Sequence, residues 1–254
     1  MGLRTRWRPG DDFLLRHKDA HVLVVEKKAG MLTHASREQD EKSLLSSLRH
    51  FLGPRNPIRG VHRLDRVVSG LLVFARSERA FERLTAQFAE HSVERRYVAG
   101  VAEAPARGQG RLEDWLDTEP MEVRVVAPET EGARRAVTHY AVRERHPGGA
   151  LLEVRLETGL RNQIRVQLAH HGHPLLGERK YASPPSAQGR NRIFLHAEVL
   201  GFDHPITRAR HRFEAALPPD LERWRRALEG GPAPRCPAPR IRDRPPRGRR
   251  RSRR

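Results

Sequence analysis

Apolar residues run unbroken at two places in the first third of the chain, within His21–Glu26 (HVLVVE) and Gly70–Ala75 (GLLVFA). Runs this short, rich in branched residues and bounded by polar ones, predict strands buried on both faces. Between them, Leu44, Leu45, Leu48, Phe51 and Leu52 recur within Lys42–Leu52 as a helical stripe. Ser77 is placed to cap a second helix that carries Phe81, Leu84 and Phe88 on one face. Arg96–Val101 and Val137–Val142 predict further strands. In Leu151–Leu156 the apolar Leu152, Val154 and Leu156 alternate with charged residues, which predicts one wet face. A short helix over Asn162–His171 turns Ile164 and Leu168 inward. Ile193–Phe202 and His211–Leu217 read as late strands, and Asp220 is expected to cap a last helix with Leu221, Trp224 and Leu228 on one side. Strands and helices mix without regular alternation, which predicts an α+β fold rather than a doubly wound sheet. No repeat of fixed period and no linker before residue 230 is visible, so the pattern predicts one domain over residues 21–230, preceded by an extension over 1–20.

Charge changes this picture at the C-terminus. Of 254 residues, 49 are Lys or Arg and 31 are Asp or Glu, a formal net charge of +18. Half of that excess sits in residues 231–254, where ten arginines, Arg249, Arg250 and Arg251 among them, share the segment with six prolines and one acid. Such a segment cannot build a core and is expected to be a disordered basic tail. It reads either as a solvated tail or as an electrostatic arm for nucleic-acid phosphates. In the second case its deletion should weaken RNA binding and flatten the salt dependence. No run of eighteen apolar residues predicts a membrane span, and the N-terminus has no apolar core of the secretory kind. A single cysteine, Cys236, excludes a disulfide framework and a thiolate zinc site. A cytoplasmic protein that meets a polyanion is the expectation, and nothing calls for more than a monomer.

Two stretches carry the candidate chemistry. Arg59–Arg76 holds one acid, Asp65, among Arg59, His62, Arg63, Arg66 and Arg76. Gly159–Leu176 holds no acid, but Arg161, Arg165, His170, His171 and His173. A lone carboxylate between basic residues is either a structural ion-pair partner or a nucleophile that stays ionised in a water-poor pocket. In the second case burial raises its pKa and a neighbouring guanidinium must bring it back down, a role for which Arg165 is available. The histidine run is not accompanied by Asp, Glu or Cys, and its adjacent members point about 100° apart on a helix. No metal is expected there.

The block HRLDRVVSGLLVFAR resembles the signature of the RluA-type pseudouridine synthases, His-Arg-Leu-Asp followed by two variable residues and Thr-Ser-Gly. Four further blocks resemble that family's in the same order: LVVEKKAGML at 23–32, Arg96-Tyr97, Thr158–Gly177 with its Gln-Ile-Arg core, and LHAEVLGFDHPIT at 195–207. The resemblance covers about residues 20 to 217. It implies a mixed, mainly antiparallel central sheet with flanking helices and a catalytic cleft. It also implies isomerisation of uridine to pseudouridine in structured RNA, either rRNA or tRNA, without a cofactor. By resemblance Asp65 is the nucleophile, Arg165 pairs with it and orients it, and Tyr97 packs on the uracil. The target base must be flipped out of its stack, with Arg63 filling the vacated space. His62, Arg66, Asn162, Gln163 and the tail arginines 249–251 are the expected RNA contacts.

The chain departs from the family pattern at Val68, where the family has Thr, at Lys28 for Pro, and at Asn162 and Gln167 for His. These departures bear on how the Asp65 turn is braced and which RNA is read. The small S4-type domain of many relatives is expected to be absent, since about twenty residues precede the pattern. A catalytically silent RNA-binding or assembly factor of the same fold is the alternative, and a uracil-releasing hydrolase a third reading.

Overall fold

The two unbroken apolar runs form adjacent antiparallel strands, with Val22 opposite Ala75 and Lys27 opposite Gly70. In the computed structural model, which describes residues 11–35, 43–182 and 192–230, they lie in one eleven-stranded sheet. The strands are β1 (Phe13–Lys18), β2 (Val22–Lys27), β3 (Arg59–Gly60), β4 (Ser69–Ala75), β5 (Glu94–Val101) and β6 (Gln109–Asp117). They continue as β7 (Arg124–Val126), β8 (Arg134–His146), β9 (Gly149–Leu156), β10 (Leu195–Asp203) and β11 (Arg210–Glu214). The order is β1-β2-β4-β10-β5-β9-β8-β6-β7, with β11 on β10 and β3 on β4. Among the described strands only β4 and β10 run parallel. Their approach explains a glycine: Gly70 has φ +123°, and a Cβ there would lie 2.3 Å from the Ala197 carbonyl oxygen.

Four helices, α1 (Leu44–Leu52), α2 (Glu78–Ala89), α3 (Gln163–His170) and α4 (Pro219–Glu229), cover the sheet. Period-two alternation divides the inner strands between two cores. Leu23, Val25, Leu72 and Phe74 join Leu44, Leu48, Ile164 and Leu168 on the side of α1 and α3. Val22, Val24, Leu71 and Val73 join Ala80 and Leu84 of α2 on the other. Both faces of β2 and β4 are therefore dry, which is why their sequences do not alternate. Phe194 and Leu176 meet Leu221, Trp224 and Leu228 of α4 in a further cluster.

Ser43 and Ser77 cap α1 and α2 through their hydroxyls, to Ser46 and Ala80 backbone N–H. The cap expected at Asp220 is instead Pro218, with Pro219 starting α4; Asp220 accepts from Arg192 Nη1 at 2.6 Å. Residues 13–18, part of the stretch read as an extension, form the edge strand β1. β6 and β7 were not foreseen either. In β9, Leu151 is as buried as Leu152, and only Glu153, Arg155 and Leu156 reach water. No described helix is long and apolar enough to cross a membrane. The tail from residue 231 on, with Arg249, Arg250 and Arg251, lies outside the described residues.

Candidate active site

Asp65 stands on the short loop between β3 and β4, and that loop is fastened from below. Lys27, fully buried at the end of β2, donates from Nζ to the carbonyls of Val68 (2.6 Å), Met31 (2.8 Å) and Lys28 (3.0 Å). Burial, aided by Arg192 and opposed by Asp65, brings its pKa down to about 7. Thr33 Oγ1 donates to Leu64 O and accepts from Leu64 N. The Gly30 N–H donates to Arg66 O at 2.6 Å, and Arg66 Nε returns a bond to Gly30 O. The hydroxyl missing at Val68 is thus not needed to hold the turn; Val68 is buried, and its N–H closes the turn on Asp65 O at 3.1 Å.

The first turn of α3 brings the partners. Arg165 Nη1 lies 3.2 Å from Asp65 Oδ2. The other edge of its guanidinium grips Glu178 in a fork, Nε to Oε2 at 2.8 Å and Nη2 to Oε1 at 2.9 Å. Glu178 is fully buried, while the side chains of Arg165 and Asp65 keep 12% and 20% exposure. Burial alone would lower the Arg165 pKa, but Glu178 and then Asp65 outweigh it and hold the guanidinium firmly charged. Burial pushes Glu178 toward its neutral form; the bonds and charge of Arg165 reverse that and lower its pKa.

Asn162, where the family has His, sits at φ 55°, in the left-handed region that Asn tolerates better than most residues. It precedes α3 but makes no side-chain cap. Its amide is committed elsewhere. With the nitrogen toward Asp65 it donates to Oδ2 at 2.6 Å and Oδ1 at 3.0 Å, and its oxygen accepts from Tyr181 Oη at 2.6 Å. The opposite orientation would set two acceptors face to face. Tyr181, Asn162, Asp65, Arg165 and Glu178 therefore form one continuous chain.

Asp65, Arg165 and Tyr97 line a common cavity of about 790 Å³. Tyr97 projects from β5 and is buried; burial pushes its phenol pKa up, as does the nearby Asp65, while Arg95 opposes them. Arg63 is exposed on the same wall. Asp65 is the cavity's only acid among the described residues, against Arg63, Arg95, Arg134, Arg135, Arg161 and Arg165.

Three of the expected RNA contacts are tied into the fold. Gln163 is buried, and its amide is consumed internally: Nε2 donates to Val137 O and Thr138 Oγ1, and Oε1 accepts from Leu160 N and Thr158 Oγ1. Arg66 lies outside the cavity lining, clamped to Gly30. His62 lines the cavity, but its ring stacks on Phe88 at 4.5 Å and its Nε2 accepts from Val73 N–H. Gln167, the other His replacement, ties α3 to β8 and β6 through Thr138 and Asp114. No described cluster of His, Cys, Asp or Glu has metal-holding geometry; His171 pairs with Asp114 at 3.1 Å instead.

Burial holds His62 down to about 3 and His196 down to about 4. Both are depressed below the ordinary value of about 6.5, so the unfolded chain binds more protons in that interval. Unfolding free energy should therefore fall as pH drops from about 6.5 toward 5, before most carboxylates titrate. Urea denaturation across that range checks this, and a flat profile would contradict it.

A sheet-borne cavity with one braced carboxylate among arginines defines an enzyme that admits a polyanion. The model of the RNA pseudouridylate synthase family matches residues 21–170. The ribosomal large subunit pseudouridine synthase D of Zymomonas mobilis is 37% identical over 220 residues, covering 81% of this chain and 69% of that protein. The protein of the same name from Xylella fastidiosa is 35% identical over 237 residues, covering 86% and 70%. Human RNA pseudouridylate synthase domain containing 4 shares the fold, with a TM-score of 0.69 at 21% identity over 84% of this chain and 92% of that one. The chain belongs to the RNA pseudouridylate synthase family, in its RluA-type branch, and is an isomerase acting on uridine in RNA.

Proposed function

We propose that this enzyme converts uridine to pseudouridine in ribosomal RNA, with Asp65 as nucleophile toward a flipped-out nucleotide. The observation that carries the reading is the lone carboxylate fixed by Arg165 and Asn162 at the wall of a cavity that also presents Tyr97. The N1–C1′ bond breaks, its electron pair leaving with the uracil, while Asp65 engages C1′. The base turns, C5 bonds to C1′, the C5 proton is lost and N1 ends protonated. Nothing is added or removed, so the step needs no cofactor and no second carboxylate to activate water, unlike glycoside hydrolysis.

The residues suit these roles. Asp65 Oδ2 is held by Arg165 and Asn162, while Oδ1 has one contact at 3.0 Å and lone-pair capacity left for a substrate atom. Tyr97 offers a ring face to the detached base. Flipping costs a few kcal/mol, and Arg63, which lines the cavity, fills the gap in this reading. Arg63, Arg134 and Arg161 also lie in no ion pair among the described residues. Surface arginines such as Arg143, by contrast, are matched by Glu153 and Glu198. The cavity's positive charge is thus available to phosphates, and segment 231–254 enters the reading as an arm for the same RNA. The relatives' names point to the large ribosomal subunit.

The test is to incubate the chain with ribosomal RNA from cells lacking it, digest to nucleosides and separate the products. Pseudouridine is expected. Free uracil would make the protein a hydrolase, and tight binding with neither product would make it a silent binding factor; either result overturns the reading.

A further inference from the structure

Arg95 lies on β5 two residues before Tyr97 and lines the same cavity; residues two apart on a strand share a face. Its guanidinium is largely withdrawn from water, and burial lowers its pKa, with Tyr97 acting in the other direction. Among the described residues no carboxylate stands within ion-pair distance of it. The contrast is next door, where Arg96 pairs with Glu94 at 3.2 Å and Glu153 at 3.6 Å. Arg95 Nη2 donates to Glu157 O at a long 3.4 Å, its guanidinium stands 5.7 Å from the Phe88 ring centroid, and its Nε is buried without an acceptor. The surroundings leave it room: a Cβ on Gly159 would fall 2.5 Å from Nη1.

A buried cation without a counter-charge is costly to keep. A ligand that brings the anion would remove the cost. Arg165 cannot serve, since Asp65 and Glu178 already neutralise it. We propose that Arg95 is the subsite for a phosphodiester group flanking the uridine that enters the cavity. The planar guanidinium fits two phosphate oxygens, and its Nη1–Nη2 end, which carries only the long bond to Glu157 O, is the end left for them. The inference rests on the uridine-isomerase reading and places the RNA backbone on the Arg95 side of Tyr97.

The test uses the full chain with ribosomal RNA from cells lacking it, and the variants Arg95→Gln, Arg95→Lys and Gly159→Ala. Arg95→Gln should weaken RNA binding and raise KM by about tenfold or more, with kcat falling less than KM rises. The slope of log Kd against log salt should shrink by about 0.7 to 0.9, the loss of one phosphate contact. Arg95→Lys should keep the slope. Gly159→Ala should push the fork aside and raise KM in the same direction. An unchanged slope in Arg95→Gln, or a loss confined to kcat, would overturn the proposal. Absence of pseudouridine with the unaltered chain would instead strike the isomerase reading, while the binding slopes still decide for or against Arg95.

Discussion

Asp65→Asn should leave less than about one thousandth of the turnover while the chain remains folded and holds RNA. The substitution is nearly isosteric and removes only the charge and the nucleophilic oxygen pair. Its consequence for stability is small for a specific reason. Arg165 keeps its fork on Glu178, so no buried cation is stranded when the Asp65 charge goes. RNA binding should be retained or strengthened, because the one acid among the cavity's described residues has lost its charge. Asp65→Glu keeps the charge but moves the carboxylate one methylene toward the substrate, away from the Asn162 amide. A displacement of that size should cost about a hundredfold. Nucleoside analysis of treated RNA, thermal denaturation and RNA binding at fixed salt read the three effects separately. Normal turnover in Asp65→Asn would show that the reaction does not pass through this carboxylate.

Elements buried on both faces, or carrying a clean stripe, were legible in the sequence. HVLVVE and GLLVFA had no alternative partner environment, and the Leu44–Leu48–Leu52 face admits only a helix packed on a core. β1 was missed because FLLRHK neither alternates nor stays apolar. It is an edge strand with a register shift between Leu15 and His17 and needs only Leu14 deeply buried. β6 was missed for a similar reason: Leu112 and Leu116 are its only buried residues among charged neighbours. At the site, the motif blocks singled out Asp65, Arg165 and Tyr97, which line one cavity. The brace beneath them was not legible. Lys27, a lysine just past the apolar run HVLVVE, gave no sign of being the buried donor to three carbonyls. Gln163 was an expected RNA contact by resemblance, and its burial was not legible because the α3 surface is buried nearly all round. Glu178 did carry a signal. An arginine held in a core requires a counter-charge, and Glu178 is the first acid after the acid-free stretch that contains Arg165.

Glu178→Gln should therefore destabilise the fold by about 3 to 5 kcal/mol, the cost of breaking a buried ion pair by removing one partner. At about 2 to 4 °C per kcal/mol for a domain of this size, Tm should fall by roughly 10 °C. Turnover should fall as well, by a different route. Glu178 now engages two donors of the Arg165 guanidinium, leaving only Nη1 for Asp65 at 3.2 Å. With Glu178 neutral, the full charge of Arg165 acts on Asp65 alone, holding the carboxylate closer and making it a weaker nucleophile. A double variant separates the two consequences. Arg165→Met with Glu178→Leu replaces the pair with apolar groups of similar size, an exchange that is often neutral or stabilising, so much of the lost Tm should return. Turnover should not return, because Asp65 then has no guanidinium to hold and align it. Recovery of both stability and turnover in the double variant would show that the Arg165–Glu178 pair serves only the fold, and an unchanged Tm in Glu178→Gln would show that the pair does not hold α3 in place.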